Sequence, residues 1–150
     1  MKYTLLFSFL LATLFSCEKE EVYSTTYPQT WQMIESLTKP LLSGWHNTVQ
    51  PGMDQSWREQ CVFQADSTFT KTRHLNGQRE TANGTFSVRT STSGNGKYIL
   101  LTYKTANPLI GSCTSRQLRE YLYFTPKKTL ANTDWQGCDG PLVEYKQVPQ

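Results

Sequence analysis

From Ser43 onward the chain is a succession of short segments rich in aromatic and β-branched residues, each cut off by Gly, Asn, Asp or Pro. Segments of this length and composition, separated by turn formers, are the signature of an antiparallel all-β domain. They read as strands over 44–49, 57–64, 68–75, 80–90, 97–104, 116–125, 128–132 and 141–148. The breaks have a chemical basis. Asp66-Ser67, Asn76-Gly77, Ser93-Gly94-Asn95-Gly96 and Pro126-Lys127 either tolerate positive φ or preset the first turn residue. Connections this short make consecutive strands pair as hairpins, so the expected topology is a meander. Eight such strands with the usual twist can close on themselves and leave no exposed edge. Ahead of them, residues 29–37 fit a short helix with Trp31, Ile34 and Leu37 on one side, ended by Pro40.

Alternation divides each strand into faces. Over 57–63, Trp57, Glu59, Cys61 and Phe63 share one face against Arg58, Gln60 and Val62; over 97–104, Tyr98, Leu100 and Thr102 oppose Ile99, Leu101 and Tyr103. Neither strand is cleanly one-sided. A barrel with an internal cavity and a partly covered exterior produces this mixture, and so does a sandwich with an embedded polar site.

The N-terminal region points to a destination. Leu5 to Phe15 is apolar and follows Lys2, but it is much shorter than the roughly 20 residues a membrane-spanning helix needs, so it reads as a secretion signal. Leu14-Phe15-Ser16-Cys17 resembles the lipobox of bacterial lipoproteins, in which the cysteine is acylated and becomes the new N-terminus. Glu18-Lys19-Glu20-Glu21 is similar to the surface-export signal of Bacteroidota lipoproteins. The resemblance implies residues 1–16 as signal peptide, a membrane partner through acylated Cys17, and a lipid-anchored place on the outer membrane, exposed at the cell surface. Each buried CH₂ of an acyl chain contributes about 0.8 kcal/mol, so several chains anchor a protein without a spanning helix. Residues 17–28, polar and without periodicity, read as a tether, leaving 29–150 as the folded domain.

Ser43-Gly44-Trp45, following the short helix and opening the first strand, is similar to the Gly-x-Trp region of lipocalins. Phe63-Gln64-Ala65-Asp66-Ser67-Thr68-Phe69, Asn83-Gly84-Thr85-Phe86-Ser87-Val88, Tyr98-Ile99-Leu100-Leu101 and Asp139-Gly140-Pro141-Leu142-Val143-Glu144-Tyr145 then resemble the succession in lipocalin-like domains of Bacteroidota lipoproteins. The resemblance selects closure: an eight-stranded up-and-down antiparallel β-barrel of lipocalin or calycin type, with a short N-terminal helix.

Charge and cysteines narrow the chemistry. Loss of residues 1–16 lowers the formal charge from +3 to +2, and a nearly neutral domain excludes a nucleic-acid footprint of the usual strongly basic kind. Lys71, Arg73, Lys127 and Lys128 read as solvated strand and turn positions. With Cys17 acylated, Cys61, Cys113 and Cys138 remain. In a meander, the connections holding Cys113 and Cys138 emerge at the same end, so these two are expected to form a disulfide, closing a loop of about 25 residues and adding roughly 3 kcal/mol. Cys61, beside Val62 and Phe63, is expected to be a buried free thiol; the alternative pairing is Cys61 with Cys113.

No catalytic constellation can be assembled. His46 and His74, with Asp54 or Asp66, are the nearest candidates to activate Cys61, and no local signature surrounds them. No metal or cofactor pattern is present in the sequence, and Asp134 and Asp139 flanking Cys138 read as turn caps. The Ser93–Gly96 run precedes a strand, so it lacks the helix N-terminus of a phosphate cradle. Asn83-Gly84-Thr85 matches the N-glycosylation sequon but reads as a turn, and Asp66-Ser67-Thr68 resembles the O-glycosylation motif of Bacteroidota exported proteins, making Ser67 a candidate acceptor.

The expectation is a non-enzymatic binding protein. Its barrel captures a small, partly apolar ligand against Trp45, Phe69, Phe86, Tyr98, Tyr121 and Tyr145. The alternative is a filled barrel that presents loops to a protein or polysaccharide. Replacing Cys17 by Ser tests the anchor: the protein is expected to leave the membrane fraction, read by immunoblot of separated fractions, and full retention there would contradict acylation.

Overall fold

A computed structural model describes residues 25–37, 57–92 and 96–149. They form a closed eight-stranded antiparallel barrel in strict sequence order: β1 (Gln29–Leu37), β2 (Trp57–Phe63), β3 (Thr68–Leu75), β4 (Gln78–Thr90), β5 (Lys97–Tyr103), β6 (Arg119–Phe124), β7 (Leu130–Asn132) and β8 (Leu142–Val148). Pairing of β1 with β8 seals the cylinder, from Thr30 opposite Val148 to Leu37 opposite Leu142. The strands expected from 57 onward are present with shifted ends. The expected strand 44–49 lies outside the described residues.

Residues 29–37 correct the sequence reading, since they are a strand and not a helix. Trp31 and Met33 alternate inward, the period of a strand. Between Met33 and Glu35 the register slips: Met33 pairs with Tyr145 and Glu35 with Glu144, so Ile34 is the extra residue of a β-bulge and stands exposed. The bulge breaks the alternation after Met33 and leaves Trp31, Ile34 and Leu37 at a spacing that imitates a helix face.

Three short turns lie at one end of the barrel, here called the lower end. In the β2–β3 turn, Ser67 takes a left-handed φ of 64° and its amide donates to the Gln64 carbonyl. The β4–β5 turn is closed by Ser91 N–H donating to the Gly96 carbonyl, and the β6–β7 turn by Lys128 N–H donating to that of Thr125. Tyr27, Phe86 and Phe63 make successive tilted and edge-to-face contacts there, and Trp31 meets Phe124 edge to face.

The opposite, upper end carries the tight β3–β4 turn at Asn76-Gly77, with both residues at positive φ, and two longer connections, 104–118 and 133–141. Asn83-Gly84 is not a turn, a second correction: both residues lie within β4. Glycine is required there because a Cβ at Gly84 would stand 2.0 Å from the Thr102 carbonyl oxygen and 2.8 Å from the Phe69 ring.

Candidate functional site

Alternation places four side chains of the charged residue types, Glu59, Lys71, Arg73 and Glu120, inside the barrel. Glu59 shares the inner face of β2 with Cys61 and Phe63; Lys71 and Arg73 share that of β3 with Phe69; Glu120 shares that of β6 with Leu122. Glu59 and Arg73 are direct cross-strand partners, as are Cys61 and Lys71. Glu59 and Lys71 are 1% exposed, Glu120 0% and Arg73 9%. The reading of Lys71 and Arg73 as solvated positions is therefore overturned.

Charges buried this deeply must be paired and hydrogen-bonded, and these are. The Lys71 ammonium lies 3.1 Å from Glu59 Oε2 and donates to Glu120 Oε1 at 2.9 Å, Glu120 Oε2 at 3.1 Å and the Leu109 carbonyl at 3.0 Å. Arg73 Nε donates to Glu59 Oε1 at 2.7 Å and Nη1 to the Pro108 carbonyl at 3.1 Å. Its Nη2 sits 2.6 Å from that same Glu59 oxygen, a charge contact without hydrogen-bond alignment. The Tyr145 hydroxyl donates to Glu59 Oε2 and the Tyr103 hydroxyl to Glu120 Oε2. Two carboxylates face two cations, so the set is neutral.

The lattice reaches into the connection between β5 and β6. Pro108 to Ser112 folds back over the upper end of the cylinder, with Leu109, Ile110, Gly111 and Ser112 buried. Its carbonyls at 108 and 109 accept from Arg73 and Lys71, its Gly111 N–H donates to Glu120 Oε2 at 3.3 Å, and its Gly111 carbonyl accepts from Asn132 Nδ2 at 2.6 Å. Asn132 Nδ2 also donates to Glu120 Oε1 at 2.8 Å. A Cβ on Gly111 would lie 2.5 Å from Asn132 Nδ2 and 3.1 Å from Glu120 Oε1, so any larger residue would have to push the Asn132 amide out of its place in the network.

The expected disulfide ties the plug down. Cys113 and Cys138 are bonded, with Cα atoms 5.5 Å apart, and they join connection 104–118 to the 3-10 turn Asp134–Cys138 at the upper end. Above Arg73, Trp57 and Trp135 meet edge to face with centroids 6.2 Å apart. The guanidinium lies 5.0 Å from the first ring and 5.9 Å from the second. Trp57 Nε1 is buried and has no acceptor among the described residues.

These contacts set the proton affinities. Burial opposes charge on Glu59, but Lys71, Arg73 and the Tyr145 hydroxyl overcome it and hold the carboxyl below its ordinary 4.5. Burial likewise opposes charge on Lys71, and Glu120 with Glu59 reverses the effect, raising the ammonium above its ordinary 10.5. For Cys61, burial dominates and pushes the thiol far above the range in which a thiolate forms at neutral pH.

The structure separates most of the residues that the sequence singled out. Cys61 is a buried free thiol; His74 is exposed at the top of β3, and Asp66 lies in the lower turn. Asp66 accepts from the Thr68 amide and hydroxyl, beside Ser67, which is exposed. Of the expected lining residues, Phe69 and Tyr145 fill the core, and Phe86 packs at the lower end. Tyr98 and Tyr121 alternate with the buried Ile99, Leu101, Glu120 and Leu122, so they lie on the outer face of the barrel. Trp45, Cys17, His46 and Asp54 lie outside the described residues. Among the described residues no group of three or more His, Cys, Asp and Glu side chains could hold a metal ion.

The lattice residues escaped the sequence reading, although one signal marks them: Lys71 and Arg73 share the strand parity of Phe69, and Glu59 that of Phe63. No protein-family model, curated protein or solved structure matches the chain.

Replacing Lys71 by Met leaves Glu120 without its cation and is expected to lower stability by about 3–5 kcal/mol, read from urea unfolding; a loss under about 1 kcal/mol, within the range of exposed pairs, would contradict the buried lattice. The pH profile has two limbs. Glu59 is depressed in the folded state, so its contribution is complete above 4.5 and is lost as pH falls through the folded value. Lys71 is raised, so its contribution is complete below 10.5 and is lost as pH rises through the folded value. Glu59→Gln is expected to flatten the acid limb of the urea midpoint.

Proposed function

We propose that this protein is a lipid-anchored lipoprotein of lipocalin-like architecture, held at the outer membrane through Cys17 and exposed at the cell surface. In this reading the barrel is a filled, rigid scaffold whose outward surfaces engage a protein or polysaccharide partner; the chain binds and does not catalyse. Extracytoplasmic placement accords with the Cys113–Cys138 disulfide, since such bonds persist in oxidising compartments.

One observation carries the scaffold reading: the barrel interior is occupied. Trp31, Phe63, Phe69, Leu101, Leu122 and Tyr145 are each at most 1% exposed, the charged lattice crosses the upper half, and the plug sits over it. Ligand capture of the usual kind needs a concave pocket bounded by apolar walls with a few polar groups free to meet the ligand. Here the polar groups of Glu59, Lys71 and Glu120 are engaged with one another and with the plug. Two of the aromatic residues expected to line a pocket, Tyr98 and Tyr121, belong to the outside. The exposed Ser67 turn remains, within this reading, the proposed O-glycan acceptor.

Native mass spectrometry of the mature protein, released from its own membranes in non-ionic detergent, tests the reading. The expected mass is the polypeptide from Cys17 plus its acyl chains, with glycan where Ser67 is modified and no stoichiometric small molecule. A co-purified apolar compound bound one to one, and displaced by Leu101→Trp, would overturn the scaffold reading in favour of ligand capture.

A further inference from the structure

The outer face of β4, β5 and β6 carries a regular array that the lattice and the plug do not use. Register places Arg89, Tyr98 and Tyr123 in one row across the strands, Ser87, Leu100 and Tyr121 in the next, and Thr85, Thr102 and Arg119 in the third. None of these residues is acidic. Arg89 and Arg119 are exposed at opposite corners of the array, and neither has a carboxylate partner among the described residues. Spacings of about 3.4 Å along and 4.8 Å across the strands put their backbones about 17 Å apart. Arg89 Nε donates to Ser87 Oγ at 3.1 Å, laying that side chain along its strand.

Between the two cations lie the tyrosines. The Tyr98 ring is 5.7 Å from Tyr121 and 5.8 Å from Tyr123, with interplanar angles of 49° and 43°. Tilted in this way, the rings do not sandwich one another's faces. All three are half-buried, and Leu100, in the middle of the array, is 6% exposed, so the face offers aromatic ring surface and little aliphatic side chain. At its rim the Tyr123 hydroxyl donates to Asp134 Oδ1 at 3.3 Å. Two of the nine residues in the array are cationic and none is acidic, and the Asp134 carboxylate meets it at the rim.

We propose that this face is a docking platform for an acidic polysaccharide, a polymer of sugar rings bearing carboxylates. The proposal rests on the scaffold reading above and names its partner class. A sugar ring presents C–H groups on its flat side, which suit the electron-rich face of a tyrosine. Guanidinium forks pair with carboxylates through parallel hydrogen bonds, and Ser87, Thr85 and Thr102 supply hydroxyl partners for sugar hydroxyls. The alternatives fit less well. A duplex nucleic acid is held chiefly through its phosphates, which leaves the tyrosine faces of this surface without a role, and a membrane-inserting face projects large apolar side chains, whereas Leu100 here is buried.

The test is retention of the full mature protein, in non-ionic detergent, on polygalacturonate beads, compared with neutral dextran beads. Wild type is expected to be retained by the acidic polymer alone and eluted by soluble polygalacturonate. The Arg89→Ala/Arg119→Ala double variant is expected to bind on the order of a hundredfold more weakly, as loss of two charge-assisted contacts implies, and Tyr98→Ala to weaken retention while leaving the thermal midpoint within a few degrees. Arg58→Ala/Lys127→Ala removes the same charge from exposed positions elsewhere and is expected to bind as wild type does. The proposal is overturned if wild type is not retained or if the Arg58/Lys127 control loses as much. Elution by oligo(dT) or short-chain phosphatidylglycerol at lower concentration than by polygalacturonate also overturns it, by making the partner a nucleic acid or a lipid. Failed retention by a protein whose native mass holds no small molecule removes this face assignment alone; a molecule bound inside the barrel removes the scaffold reading itself.

Discussion

A lysine ammonium inside a protein must be surrounded by acceptors, and meeting that demand organises this barrel. Lys71 on β3 draws Glu59 from the neighbouring strand, Glu120 from β6 on the far wall, and the Leu109 carbonyl from the connection above. The bonds therefore run across the lumen as well as around it. Hydrocarbon packing alone has no direction and would hold the walls at a distance without specifying what closes the top. The charged set specifies it, because two carbonyls and one amide of the plug complete its coordination. An apolar set of equal volume can often match a buried ion pair in stability. What the ions add here is a defined seat for residues 108–112.

Several local features follow from that seat. Gly111 has no side chain because Asn132, Trp135 and Glu120 occupy the space a Cβ would take. The Tyr103 and Tyr145 hydroxyls point inward because each carboxylate has further acceptor capacity after pairing with its cation. The disulfide fastens the plug to the Asp134–Cys138 turn, and that turn positions Trp135 beside Arg73. Closure of the lumen and exposure of a patterned exterior are thus two results of one arrangement. With its interior committed to structure, the molecule would, on the scaffold reading proposed above, meet its partners through its outer faces and connections.

Legibility in the sequence followed the range of the interactions. Strands from Trp57 onward were readable because their turns carry local chemistry: Asn76-Gly77 and Asp66-Ser67 declare positive φ in two residues. The disulfide was readable because a meander dictates which connections share an end. Residues 29–37 were misread because a single bulge at Ile34 converts a two-residue period into one resembling a helix, and no local signal announces a bulge. Lys71 and Arg73 were misread for a different reason. A charge on a strand looks the same whether solvent or a carboxylate 49 residues away receives it, and Glu120 is that far from Lys71. Their parity with Phe69 was visible; the partners that make burial tolerable were not. Tyr98 and Tyr121 failed as pocket residues because aromatic composition does not distinguish the two faces of a strand, and only Ile99 and Leu101 beside them settle the direction.

The segment over the upper end belongs to the core and not to the surface loops. Native-state hydrogen exchange of the amides of Leu109, Ile110, Gly111 and Ser112 tests it most directly. These donate to the Asn107 side chain, the Asn107 carbonyl, Glu120 Oε2 and the Ile110 carbonyl. Gly111 is expected to exchange only with the global unfolding that also exposes β3 and β6, with its neighbours protected to a similar degree. Exchange of Gly111 as fast as the amides of the exposed Thr105 and Ala106, while the strands remain protected, would place the segment among the surface loops instead.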